Sequence, residues 1–220
     1  MIGLINFYTF THSTMPKKHH LHYVLVADNS GSMAGQINEV RDELNIQIAK
    51  MSKESDKDIS PCTFTLRTFD SEVRNVHVNI PIEDVPKITS HDYDVGGMTA
   101  LFDAIGSTVE SVGELLGNRI DGENESLAMI IFSDGGENAS TKYNRTKIAA
   151  LLDKYQNRPG FNIAFVGCDP ASFRDMNHVG FNASRSVRYS KGFEREVLQN
   201  VHASVSDLKF KRTKNFDFKK

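Results

Sequence analysis

Short apolar runs alternate with longer amphipathic stretches along this chain. Runs at about 21–27, 63–69, 126–133 and 161–167 are rich in β-branched and aromatic residues and end in polar turns, which predicts strands. Between them, about 34–51 places Ile37, Val40, Leu44, Ile48 and Met51 on one face at spacings of three and four. The same helical period aligns Leu101, Ile105, Val109, Val112 and Leu116 over about 100–117, and Ile148, Leu151, Leu152 and Tyr155 over about 144–157. A last helix over about 192–208 uses Phe193, Val197, Val201 and Leu208, after a short one at about 170–178. Two further strands are predicted at about 73–80 and 186–189. The link Asp70-Ser71-Glu72 is too short for a crossover, so strands two and three should form an antiparallel hairpin. This order predicts an α/β fold, a mostly parallel six-stranded sheet covered by helices on both faces.

Composition narrows the class. The 220 residues are 39% hydrophobic and 25% charged, which suits one soluble domain. A net charge of −2 argues against a strongly basic nucleic-acid binder, and no apolar stretch reaches the roughly 20 residues of a membrane helix. Cys62 and Cys168 lack metal or redox spacing and are expected to be reduced, buried thiols of a cytoplasmic protein. Residues 1–20 form an N-terminal extension, apolar over Met1 to Phe10 but without the charge or cleavage pattern of a secretory signal. A reading frame opened too early, with Met15 as the true start, is favoured over an added edge strand. The globular domain should span 21–208. Residues 209–220 form a basic tail, with Lys209, Lys211, Arg212, Lys214, Lys219 and Lys220 interleaved with Phe210, Phe216 and Phe218. A solvated terminus is expected there rather than a nucleic-acid contact.

The chemistry concentrates at strand ends. Asp28-Asn29-Ser30-Gly31-Ser32 follows the first strand, at the carboxyl edge where open α/β sheets bind ligands. It offers a carboxylate and two hydroxyls on alternate residues, and converging oxygens suit a hard divalent cation. Gly96-Gly97-Met98-Thr99-Ala100 places a hydroxyl on a flexible loop before the second long helix. Strand four ends in Ser133-Asp134-Gly135-Gly136.

These three segments, in this order, resemble the metal-ion-dependent adhesion site of von Willebrand factor type A domains. The stretches 99–106, 134–140 and 161–167 are similar to those of stand-alone bacterial and phage-encoded members, and the likeness covers roughly residues 20–205. The resemblance implies a doubly wound three-layer α/β/α fold with one antiparallel edge strand. It implies Ser30 and Ser32 as direct ligands of Mg²⁺ or Mn²⁺, Thr99 as a direct or water-bridged one, and Asp28 and Asp134 as holders of coordinated waters. The implied function is non-enzymatic: the ion captures an Asp or Glu of another protein. Some such relatives serve an ATPase partner in complex remodelling. Asn29 departs from the Arg or Thr common in those relatives, which bears on partner choice more than on the metal.

Alternatives stand beside this reading. Asp28, Ser30 and Ser32 would also make an N-cap for the first helix. A metal-dependent phosphoester hydrolase using Asp28 as nucleophile is the functional rival, although Ser30 stands where haloacid-dehalogenase-like enzymes carry a second Asp. Asp103 is expected to answer a helix dipole, Glu137 to be a solvated loop charge, and Asp169 to be a turn or cap residue before Pro170. His19, His20 and His22 suggest Zn²⁺ or Ni²⁺, but no Cys or Glu stands at a supporting spacing, so a solvated lead-in with one strand histidine is expected.

Overall fold

Leu21, Tyr23, Leu25 and Ala27 face one side of the first strand, while Val24 and Val26 face the other, and both sets lie in hydrophobic clusters. Burial on both faces marks β1 (His20–Asp28) as a central strand. It pairs in parallel with β2 (Cys62–Phe69) on one side and β4 (Glu125–Ser133) on the other. The computed structural model describes residues 19–55 and 60–216.

The six-stranded sheet has the order β3-β2-β1-β4-β5-β6. β3 (Val73–Pro81) runs antiparallel at one edge, while β5 (Phe161–Gly167) and β6 (Ser186–Arg188) continue the parallel part at the other. Helices α1 (Ile37–Glu54) and α5 (Glu194–Lys209) bury Val40, Leu44, Val201 and Val205 on one face. Helices α2 (Leu101–Leu116), α3 (Arg145–Tyr155) and α4 (Pro170–His178) cover the other with Ile105, Val109, Ile148, Leu152 and Met176. The fold is thus a three-layer, doubly wound sheet with one antiparallel edge strand. The chain leaves β1 toward β2 and later returns to β4 on the opposite side, so a topological switch lies at the carboxyl ends of β1 and β4.

Three expectations are corrected. The first helix begins at Ile37 and not near 34, because Gly31–Gly35 forms a separate 3-10 turn. Phe193 is not a core position of the last helix; it precedes α5 and is 56% exposed. The C-terminal tail is not simply solvated. Phe216 is buried in the cluster beneath α1 and α5, and Lys209 is buried as well. His19, also buried, joins this packing through Nδ1 with the Lys209 carbonyl at 3.2 Å and Nε2 with Ser126 Oγ at 3.0 Å. The expected N-terminal extension lies outside the described residues up to residue 18, and Phe218, Lys219 and Lys220 lie outside them too.

Phe216→Ala should therefore cost about 3 kcal/mol, the low end for a buried Phe because a chain end relaxes into the gap. Thermal denaturation checks this, and an unchanged melting temperature would restore the solvated tail.

Candidate metal centre at the sheet edge

β1 delivers Asp28 to the switch point as a fully buried side chain, its relative exposure being 0%. Oδ1 accepts the backbone N–H of Ser30 at 2.7 Å, which turns the chain sharply after the strand. Oδ2 accepts the hydroxyl of Ser133, the last residue of β4, at 2.6 Å. The Asp28 carbonyl accepts the Tyr93 hydroxyl at 2.6 Å. Burial pushes the Asp28 carboxyl up to about 6, and the negative charge of Asp134 adds to the rise, against the Ser133 and Ser30 hydrogen bonds.

The other expected oxygens gather around this anchor. Ser30 Oγ and Ser32 Oγ are 3.2 Å apart, and Ser32 Oγ donates a short hydrogen bond to Asp134 Oδ1. Asp134 Oδ2 accepts Gln36 Nε2 at 2.8 Å and pairs with the ammonium of Lys191 at 2.9 Å. That hydrogen bond raises the Lys191 pKa above its ordinary value. The N-cap alternative does not hold, since neither the 3-10 turn nor α1 receives a side-chain cap.

Thr99 reaches the site through backbone pairing. The Gly31 N–H donates to the Gly97 carbonyl at 2.9 Å, and Gly96 N–H to the Asn29 carbonyl at 2.7 Å, stitching the glycine loop to the first segment. Gly96 has a steric reason to be glycine: a Cβ there would lie 1.8 Å from Asp70 Oδ2. On the other flank, Thr99 N–H donates to Asn138 Oδ1 at 2.8 Å and the Asn138 N–H returns to the Thr99 carbonyl at 3.0 Å. A Cβ on Gly135 would sit 3.2 Å from Thr99 Oγ1 and 3.5 Å from Ser32 Oγ, so both hydroxyls border one point above Gly135. All five sequence-identified residues are brought together.

Neighbouring carboxylates have other tasks than expected. Glu137 is not a free loop charge: it accepts the Phe102 N–H at 2.7 Å, capping α2, and the Ser140 N–H at 2.8 Å. Asp103 does more than answer a dipole, because it accepts N–H groups of Thr141, Lys142 and Tyr143 at 3.0, 3.0 and 2.8 Å. These two clamps hold the loop after β4 against the start of α2, and so fix Thr99 relative to Asp134. Asp169 caps α4 through the Ala171 N–H at 2.6 Å, as expected. Lys191, Gln36, Tyr93 and Asp70 carried no local sequence signal. Cys168 is only half-buried, unlike Cys62, though both thiols are free.

The raised carboxyl of Asp28 makes a pH prediction for the metal-free protein. The folded state holds this proton more tightly than the unfolded chain, so the contribution of Asp28 to stability is full below about pH 4 and is lost as pH rises through about 6. Two units correspond to about 3 kcal/mol at neutral pH. Asp28→Asn, which retains an acceptor for Ser30 N–H, should melt higher than wild type at pH 7.5 in chelator. The gap should close at pH 4 in a melting-temperature series.

No family model matches the chain, and no curated protein matches it by sequence. Solved structures match it by shape. Proximal thread matrix protein 1 from the mussel byssus, in a structure with a zinc-occupied MIDAS motif, shows 14% identity and a TM-score of 0.57 over 90% of this chain and 47% of that one. The ArnB paralog VWA2 from Sulfolobus acidocaldarius gives 14% identity and a TM-score of 0.55 over 86% of this chain and 46% of that one. A von Willebrand factor type A structure from Catenulispora acidiphila gives 12% identity and a TM-score of 0.55 over 86% and 43%. The chain thus spans less than half the length of these structures, and at such identities the likeness is one of fold. What the sheet order and these neighbours establish together is a von Willebrand factor type A-like fold.

Proposed function

We propose that this chain is a divalent-metal-dependent protein-binding module, with Ser30, Ser32 and Thr99 as direct ligands of Mg²⁺ or Mn²⁺ and with Asp28 and Asp134 holding its waters. The observation that carries this reading is the run of oxygens from Ser30 Oγ through Ser32 Oγ to Asp134 Oδ1, each within hydrogen-bond reach of the next. Adjacent ligands of an octahedral Mg²⁺ at about 2.1 Å lie roughly 3 Å apart. The 3.2 Å between the two hydroxyls is close to that edge. Every donor is an oxygen, the hard set that Mg²⁺ prefers.

When bound, the ion supplies an electrophilic position for a carboxylate oxygen from an Asp or Glu of a partner protein. The protein's own residues shape how that partner is met. Asp28, held on both oxygens, keeps the Ser30–Ser32 loop in place. Met98, 55% exposed beside Thr99, offers apolar contact next to the charged centre. Lys191 is a tethered cation on Asp134 and competes for the charge that a metal would use. An ATPase assembly is the partner class suggested by the resemblance. Two free thiols suit a cytoplasmic setting, and among the described residues no helix is long and apolar enough to cross a membrane.

The hydrolase alternative has less support. A nucleophilic carboxylate must reach its substrate, whereas Asp28 is fully buried and both oxygens accept hydrogen bonds.

Mg²⁺ should bind one to one and raise the melting temperature by mass action. Ser30→Ala and Asp134→Ala should abolish that response in calorimetry, and chelator should release any captured partner. Wild-type affinity in Ser30→Ala would remove the ligand assignment, while phosphoester turnover lost in Asp28→Asn would favour the hydrolase. Lys191→Met should tighten Mg²⁺ binding several-fold at low ionic strength, because it removes the competing cation. Weaker binding in that variant would make Lys191 part of the acceptor and not a competitor.

A further inference from the structure

The opposite edge of the sheet carries a second constellation. His20 and His22 lie two residues apart on β1 and therefore share one face, with ring centroids 4.1 Å apart. β4 begins beside them, and Glu125 is the register partner of His20. One ring nitrogen of each histidine and a carboxylate oxygen of Glu125 all lie within 4.8 Å of one another. The glutamate missing from the local sequence is thus supplied across the sheet, from more than a hundred residues away.

We infer that His20, His22 and Glu125 form a second metal site, for a Zn²⁺-class transition ion, separate from the oxygen site at the other edge. Two imidazoles and one carboxylate are a donor set that zinc takes with a fourth position left for water. The ligands are oriented from behind. His22 Nδ1 pairs with Thr63 Oγ1 at 2.9 Å, which leaves Nε2 to face Glu125 Oε2 at 2.8 Å. Arg119 holds the other carboxylate oxygen, Oε1, through Nε at 3.1 Å and a terminal nitrogen at 3.0 Å. His20 Nε2 is buried and has no hydrogen-bond partner among the described residues, an orphan that a metal bond or a bound water would satisfy.

Geometry and charge agree on the class of ion. Zinc bonds of about 2.0–2.2 Å set tetrahedral ligands roughly 3.4 Å apart, so side-chain rotations of about an ångström close the triad. Metal binding at His22 displaces the proton that Nε2 shares with Glu125, while His20 Nε2 already lacks a partner among the described residues. Arg119 adds positive charge nearby, which disfavours an ion held by charge alone and favours one bound through nitrogen. A cavity of about 140 Å³ lined by His22, Thr63, Asn79 and Arg119 adjoins the site.

The test uses the untagged full chain, Zn²⁺ alone, and the Asp28→Asn background, so that zinc at the oxygen site is excluded. Equilibrium dialysis should find one zinc per chain in Asp28→Asn. Co²⁺ in the same protein should give the visible bands of a four-coordinate nitrogen and oxygen site. Adding His20→Ala or Glu125→Gln should weaken zinc at least tenfold and remove those bands. His20 and Glu125 are both only partly buried, so melting in chelator should show that these variants still fold. Zinc that vanishes with Asp28→Asn alone, or persists unchanged in both added variants, would overturn the inference. Failure of Mg²⁺ to bind wild type would remove the oxygen-site reading and leave this one standing.

Discussion

Placing the carboxylate of Asp28 out of water is the constraint around which the rest of this site is arranged. A desolvated carboxylate is costly unless hydrogen bonds replace its hydration. Here the replacements come from separate parts of the chain: the Ser30 N–H from the turn after β1 and the Ser133 hydroxyl from the end of β4. The Tyr93 hydroxyl, from the long loop before α2, ties the backbone of the same residue. Satisfying one buried group therefore draws three segments to one edge of the sheet, and the exposed hydroxyl of Ser32 is carried to Asp134 as a consequence.

Asp134 solves a related problem differently. Its side chain is also buried, but it is met by Gln36 and by Lys191, whose long chain reaches in from the segment before α5 while remaining 58% exposed. A cation that can leave without unfolding anything makes Asp134 the adjustable partner of the pair, and Asp28 the fixed one. The clamps by Glu137 and Asp103 extend the same logic outward. They spend two carboxylates on backbone N–H groups of loops, and so set the distance between the Thr99 loop and the end of β4.

The two edges of the sheet carry different chemistry. At the carboxyl ends, hydroxyls and carboxylates form an all-oxygen set. At the amino ends, β1 and β4 bring imidazoles and Glu125 together, with Thr63 and Arg119 behind them. The same pair of parallel strands builds both, because parallel neighbours bring like ends together and adjacent registers place side chains on a common face.

Much of this was readable along the chain. The 3.6-residue period located the five α-helices and the β-branched apolar runs located the strands, though not the 3-10 turn at Gly31–Gly35, and the strand-end positions of Asp28, Ser30 and Asp134 followed from where the apolar runs stop. Local sequence holds this information because periodicity and turn chemistry act over a few residues. The packing of His19 against Lys209, the ion pair of Lys191 with Asp134, the capping of α2 by Glu137 and the approach of Glu125 to His22 depend on packing between segments 35 to 190 residues apart. No local pattern encodes such pairs: each residue is an ordinary surface type by sequence, and only the docking of helices and the strand order turn it inward or toward a partner. Residue types and spacings decided which chemistry was present; tertiary structure decided which groups share an edge, because desolvation and hydrogen bonding are settled only when distant segments meet.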